Sequence, residues 1–221
     1  MPEAIVTDLA PTGTLRAAIN LGNPVLAQGS PSAPVGVTVD IARELAARVG
    51  VPLELHCFGA ARDSYEAATA GRVDVCFLAI EPARAAEIAF TAPYVVIEGV
   101  FAVPQDSPIT AVDDVDREGV RIGVNAGSAY DLFLSRTLER ATIVRGDDGV
   151  GLFRQQGLEA VAGVRQPLAR HVAADPELRL LPGRFMEIRQ ALAVRRDRDP
   201  DTVGYLHGFV EELKAGGFIA D

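Results

Sequence analysis

Residues 73–80, VDVCFLAI, form the stretch that decides the fold. A nearly continuous apolar run of this length is typical of a strand buried in a parallel sheet. The pattern predicts a helix over residues 63–70, closed by Gly71, before this strand. It predicts a short helix from Pro82 after the strand, because proline is favoured at the first position of a helix.

The same alternation of strands and helices extends outward in both directions. Further strands are predicted over residues 15–20, 53–58, 95–103, 120–124, 142–145, 158–162, 178–181 and 188–194. Further helices are predicted over residues 39–49, 128–138, 149–155, 167–174 and 202–215. The first of these has Ile41, Leu45 and Val49 on one face, and the last has Leu206, Val210 and Leu213. Alternating strands and helices predict an α/β fold with mostly parallel sheets and right-handed crossovers.

Two long β-like runs, near residues 98–104 and 187–195, bracket the second half of this series. They predict a chain that crosses from one lobe to another and back. Lobe 1 would comprise residues 1–100 and 192–221, and lobe 2 residues 103–189. A length of 221 residues suits two lobes of about 100 residues each.

Composition excludes several classes of partner. The formal net charge of −9 disfavours binding to nucleic acid or to an anionic membrane face. No apolar run approaches the roughly 18 residues of a membrane span, so no stable membrane insertion is expected. The first residues lack the basic start and the hydrophobic stretch of a secretory signal.

The cysteines and histidines indicate no disulfide, metal or cofactor site. Cys57 and Cys76 fall in predicted buried strands, and a doubly wound sheet would separate those strands by the first strand, so free thiols are expected. The histidines lack metal-ligand spacing, and no Walker loop, G-x-G-x-x-G or G-x-S-x-G motif is present. No cofactor is predicted.

Four segments carry a resemblance to a known family. They are residues 36–42 (GVTVDIA), 71–75 (GRVDV), 84–94 (RAAEIAFTAPY) and 120–128 (VRIGVNAGS). In order and in composition they resemble the family 3 extracellular solute-binding proteins, the polar amino-acid receptors of ABC importers. The resemblance implies a two-lobed clamp of the type II periplasmic-binding-protein class, with the ligand in a cleft between lobes that close by a hinge motion.

The resemblance also implies roles for particular residues. Arg84 takes the position of the arginine that grips the ligand's α-carboxylate, and Gly127, Ser128 and Ala129 take second-lobe positions that bind the same group. Arginine pairs with carboxylates through a planar fork, and a helix start offers free N–H groups to an anion. The alternatives are a surface arginine at position 84, paired with Glu81 or Glu87, and a plain helix cap at Ser128.

The chain departs from the family at the ligand site. The family usually has Ser or Thr before the arginine helix, whereas residues 77–81 read FLAIE and place Ala79 at the candidate site. The Asp that binds a ligand's ammonium is replaced by Val164, and Arg165 follows. We therefore expect a small carboxylate such as a dicarboxylate, or an oxo- or hydroxy-acid, with Arg165 near a second anionic group.

Other assignments at this site remain open. Arg165 could instead be a solvated helix start, and Glu98 could replace the missing acid and restore amino-acid binding. Asn20, at the end of the first strand, and Gln190, at the return crossover, are further candidate ligand contacts.

The expected function is that of a solute-binding protein, with an ABC permease as the implied partner and no enzymatic activity. The alternatives are an enzyme similar to cyclohexadienyl dehydratase, using Glu98 as acid or base, and a cytoplasmic ligand sensor of the same fold. The resemblance implies a periplasmic location, whereas a native start at Met1 would favour the cytoplasm.

Overall fold

The computed structural model describes residues 2–219 and divides the chain into two compact units. Unit 1 comprises Met1–Val95 and Arg189–Asp221, and unit 2 comprises Val96–Ile188. Two strands, β6 (Ile88–Pro104) and β11 (Met186–Arg195), have residues in both units. No helix within residues 2–219 has both the length and the apolar character that a membrane span requires.

Within residues 2–219, unit 1 contains five helices and five further strands outside the two shared ones. The helices are α1 (Glu3–Leu9), α2 (Val37–Val49), α3 (Ala61–Thr69), α4 (Pro82–Ala85) and α8 (Pro200–Ala215). The strands are β1 (Leu15–Asn20), β2 (Gln28–Ser30), β3 (Ala33–Val35), β4 (Leu53–Phe58) and β5 (Val75–Ala79).

The main sheet of unit 1 has the strand order β4-β1-β5-β11. Strand β1 pairs in parallel with both β4 and β5, and β11 pairs antiparallel with β5. The prediction that the first strand separates Cys57 from Cys76 is therefore confirmed. The expectation that both are buried is wrong for Cys57, which is partly exposed on β4 at the end of this order, while Cys76 is buried.

The core of unit 1 packs the predicted helix stripes together. Ile41, Leu45 and Val49 of α2 belong to the same buried cluster as Leu206, Val210 and Leu213 of α8. Helix α2 ends at Gly50, whose φ of 77° lies in the left-handed region that favours glycine.

Unit 2 also consists of strands and helices, and it has a buried apolar cluster of its own. Its strand order is β6-β9-β7-β8, with β7 (Arg121–Asn125) parallel to β8 (Thr142–Gly146) and to β9 (Ala160–Val164). Strand β6 is antiparallel to β9 and to β10 (Leu178–Leu180). The helices are α5 (Ala129–Thr137), α6 (Gly149–Gln156) and α7 (Arg165–Ala173), with a 3₁₀ turn over Val112–Asp114.

Several elements differ from their predicted bounds. Strand β9 and helix α7 meet at residues 164 and 165, so Val164 is the residue before the helix and Arg165 is its first residue. Strand β6 starts seven residues earlier than predicted and runs through Pro93. Helix α1 and the antiparallel pair β2–β3 were not predicted, because the pair has only three residues per strand and is largely exposed.

Candidate functional site

The first candidate group lies in unit 1, where β5 leads into α4. Glu81 precedes this helix in an extended conformation and Pro82 opens it, so Arg84 lies within a single helical turn. Arg84 is only 3% exposed, and its Nη1 donates to the carbonyl oxygen of Ala79 at 3.2 Å. The alternative of a surface arginine at position 84 is therefore wrong, because Arg84 is buried.

The charge of Arg84 is held in a desolvated environment. Burial lowers the pKa of its guanidinium, while the nearby Glu81, Cys76 and Tyr65 act in the opposite direction. Glu81 is itself only 2% exposed, so it supports the charged form of Arg84 from within the core. A guanidinium that has already lost its water interacts strongly with a charged partner.

Two more predicted residues lie on the same sheet of unit 1. Gln190 of β11 pairs with Ala79, the last residue of β5, and is 6% exposed. The structure thus brings Gln190, Ala79 and Arg84 together. Asn20 ends β1, but its Oδ1 accepts the Gly22 N–H at 3.0 Å, which is the turn-forming role that asparagine often has.

The predicted second-lobe turn lies in unit 2 between β7 and α5. Ser128 caps α5 by accepting the N–H of Asp131 at 3.1 Å, so the cap assignment holds. The expectation of free N–H groups along this turn is corrected at two positions. Gly127 donates to Asp131 Oδ2 at 2.8 Å, and the Ser128 N–H donates to the carbonyl oxygen of Asn125 at 3.1 Å.

Ala129 follows this turn. It is the first residue of α5, and an N–H at that position has no acceptor inside its own helix. The Ser128 hydroxyl accepts from the Asp131 N–H and is also hydrogen-bonded to the Tyr130 side chain. A ligand at this turn would therefore meet the Ala129 N–H rather than the Gly127 amide.

Sequence reasoning missed the buried carboxylate that organises the turn. Asp131 is 4% exposed as a residue, and its Oδ1 accepts from Arg145 Nε at 2.9 Å and from Ser135 Oγ at 3.1 Å. The Ser-x-x-Asp spacing of residues 128–131 is a capping-box signal and could have identified Asp131. Nothing local in the sequence indicates Arg145, which reaches Asp131 from β8.

The remaining predicted residues form an ion-pair cluster in unit 2. Arg165 Nε bonds to Glu98 Oε2, and Arg165 Nη2 donates to the Gly183 carbonyl at 2.6 Å. Arg184, which the sequence did not single out, donates to Glu98 Oε1 at 3.0 Å and to Glu187 at 2.8 Å. Arg165 is the first residue of α7 and its side chain is partly exposed, as the helix-start alternative expected, but its guanidinium is also paired with Glu98.

Glu98 is held in its ionised form by these arginines. Its hydrogen bond to Arg165 lowers the carboxyl pKa below the ordinary value, and Arg184 adds to the effect. No group of three His, Cys, Asp or Glu side chains suited to a metal occurs among residues 2–219.

Comparison with known proteins places this architecture among the type II periplasmic binding proteins. Residues 15–221 match the model of the bacterial extracellular solute-binding proteins, family 3, and the chain belongs to that family. The family consists mainly of non-enzymatic solute-binding proteins. No curated protein sequence matches the chain.

Three solved structures illustrate the shared fold. A mutant of arginine-bound ArgBP from T. maritima is 23% identical, with a TM-score of 0.77 over 94% of this chain and 99% of that one. A putative ABC transporter binding component from Wolinella succinogenes, complexed with lysine, is 19% identical, with a TM-score of 0.78 over 95% and 93%. The ancestral amino-acid-binding protein AncCDT-1, a precursor of cyclohexadienyl dehydratase, is 19% identical, with a TM-score of 0.77 over 98% and 96%.

Proposed function

We propose that this protein is a non-enzymatic receptor that captures a small carboxylate-bearing solute and delivers it to an ABC permease. The observation that carries the proposal is Arg84, a guanidinium buried at the end of β5 beside the Ala79 carbonyl. Folding has already removed most of its water, so a carboxylate that reaches its fork gains a bidentate, charge-assisted pair at a lower desolvation cost.

The start of α5, in unit 2, separately offers donors suited to a carboxylate. The N–H of Ala129 and the hydroxyl of Ser128 lie at the positive end of a nine-residue helix. Both features favour an anion, and neither requires a particular side chain on the ligand.

The local charges argue against a strict requirement for an ammonium group. Val164 offers no carboxylate at the position where the family's receptors bind the ammonium, and Glu98 is already neutralised by Arg165 and Arg184. An ammonium without a charge partner is costly in a desolvated site. The proposed ligand class is therefore small carboxylic acids such as dicarboxylates and oxo- or hydroxy-acids, and α-amino acids are the alternative that the experiment must separate.

The same charges favour a receptor over an enzyme. A general acid needs a pKa near the working pH, whereas arginine contacts lower the pKa of Glu98 and keep it ionised. We propose a periplasmic location for such a receptor, in keeping with a role in uptake.

The proposal predicts ligand-dependent thermal stability. Unfolding is followed with L-arginine, L-lysine, other amino acids, dicarboxylates, hydroxy acids and aromatic acids, using the wild type and Arg84→Lys. A ligand at a hundred times its Kd adds about 2.7 kcal/mol to the free energy of unfolding. Arg84→Lys keeps a positive charge beside Glu81 but removes the fork, so we expect it to fold and to lose about tenfold in affinity.

Each outcome of this experiment decides something. Stabilisation by acids without an amino group, reduced in Arg84→Lys, supports the proposal. Stabilisation by amino acids alone overturns the proposed ligand class and directs attention to Glu98. The receptor function itself is contradicted if no member of the panel stabilises the wild type.

A further inference from the structure

A buried negative charge lies immediately behind the turn to which we assign anion binding. Asp131 belongs to the first turn of α5, its side chain is 5% exposed, and its Oδ2 holds the Gly127 N–H at 2.8 Å. This hydrogen bond fixes the turn. A carboxylate so close to the turn would repel an incoming anion if its charge were not balanced. The helix start needs a counter-charge if it is to accept one.

Arg145 supplies this charge from the neighbouring strand. The register of β7 with β8 pairs Val124 with Arg145, and the guanidinium reaches Asp131 Oδ1 with its Nε at 2.9 Å. Its Nη2 donates to Ser135 Oγ at 2.6 Å, and that hydroxyl bonds to Asp131 as well. Arg145 therefore engages one carboxylate oxygen while the other stays on Gly127.

We infer that Arg145 is a positioning residue that neutralises Asp131 and thereby makes the start of α5 competent to bind an anion. The inference rests on the proposed function for the identity of the site, but its physical content concerns unit 2 alone. The Asp131 carboxylate holds the Gly127–Ser128 turn in place through hydrogen bonds, and Arg145 balances the negative charge of that carboxylate. The anion then meets the partial positive charge of the helix start with the negative charge of Asp131 balanced.

The test uses sulfate as a probe, because it reports on anion binding whatever the natural solute is. Sulfate is titrated into the full chain at constant ionic strength, and the ¹H–¹⁵N shifts of the Ser128 and Ala129 amides are followed. Arg145→Gln should weaken sulfate binding about fivefold, because Asp131 is left uncompensated. The double variant Asp131→Asn with Arg145→Gln removes both charges and should return the affinity to within about twofold of the wild type.

A matched control separates this effect from a general loss of positive charge. Arg154→Gln breaks a comparable arginine–aspartate pair in unit 2, Arg154 Nη2 to Asp175 Oδ2 at 3.0 Å, on the last turn of α6. We expect its sulfate affinity to equal that of the wild type.

Three results would overturn the inference. They are an absence of sulfate-dependent shifts in the wild type, an unchanged affinity in Arg145→Gln, and a double variant as weak as Arg145→Gln. The last result would show that the loss is structural. Because the carboxylate panel is read separately, a solute that binds equally well to Arg145→Gln would contradict the inference and leave the receptor function intact. If sulfate binds but no solute from the panel stabilises the protein, the receptor function is contradicted and the inference about Arg145 is kept.

Discussion

At the scale of single residues, Asp74 is a fully buried carboxylate that takes part in ion pairs. Its carboxylate has no exposed side-chain surface and accepts from Arg16 Nε at 2.9 Å and Arg16 Nη2 at 2.7 Å. Arg198 Nη2 donates to the same carboxylate at 3.1 Å. One acid thus joins the start of β1 to the segment between β11 and α8.

Asp74→Asn should be strongly destabilising. The substitution leaves Arg16 and Arg198 without their buried counter-charge, and removing one partner of such a pair costs about 3–5 kcal/mol. Urea unfolding monitored by circular dichroism measures this loss. Asp40→Asn breaks the exposed Arg43–Asp40 pair at 3.1 Å and should change the free energy of unfolding by less than about 1 kcal/mol. Equal losses in the two variants would contradict the argument.

The sequence predicted some residues of the candidate site, but it did not predict which charged side chains pair with each other. The family-like segments indicated Arg84, which lies in the short helix α4, and Ser128, which caps α5. The partner of Arg165 could not be predicted, because Glu98 is 67 residues away along the chain and meets it only after β6 and β9 pair. Tertiary structure therefore decides which carboxylate each arginine meets.

At the scale of elements, Asp116 fastens the connection between α5 and β8. Its carboxylate accepts the N–H groups of Arg140 at 2.8 Å, Ala141 at 2.9 Å and Glu139 at 3.0 Å. These backbone hydrogen bonds, with Ala141 contributing most, lower the carboxyl pKa below its ordinary value of 3.8. One side chain therefore fixes a connection whose own residues are largely exposed.

The contribution of Asp116 to stability should disappear in acid. Because its pKa is lower in the folded state, the unfolded state binds more protons, and stability falls as the pH falls through 3.8 towards the folded pKa. The difference in unfolding free energy between wild type and Asp116→Asn should therefore be largest near neutral pH and shrink in that range. Urea titrations at a series of pH values measure this difference. A difference that stays constant down to the acid limit would refute the assignment.

Element identity was more predictable than element length. Strands β1 and β4 have their predicted bounds, because Gly, Pro and Asn residues delimit short apolar runs there. Strand β6 was underestimated because Thr91 and Pro93 interrupt its apolar pattern, while pairing and burial on the sheet keep it extended. Helix α1 escaped prediction because it is short and only one of its seven residues, Leu9, is buried.

At the scale of the whole molecule, the two units differ in how the chain builds them. Unit 2 is one continuous segment, Val96–Ile188, with an apolar core drawn entirely from it. Unit 1 needs two segments, because β11 pairs with β5 and α8 packs into the core around α2. The second segment contributes six fully or nearly buried side chains to that core, those of Leu192, Val194, Leu206, Phe209, Val210 and Leu213.

This difference predicts which fragments fold alone. A fragment of residues 96–188 should unfold cooperatively in urea, because strands β7 to β10 and the apolar cluster of unit 2 lie wholly within it. A fragment of residues 1–95 should show no cooperative transition. Each large core side chain lost costs about 2–5 kcal/mol, and six such losses exceed the roughly 5–15 kcal/mol that stabilise a domain. Joining residues 1–95 to 189–221 through a flexible Gly/Ser linker should restore the transition, since the closure of a longer loop costs little.

Two results would contradict this argument. A cooperative transition in the 1–95 fragment alone would show that β11 and α8 are dispensable to the core. The absence of a transition in the 96–188 fragment would show that unit 2 depends on unit 1 to fold.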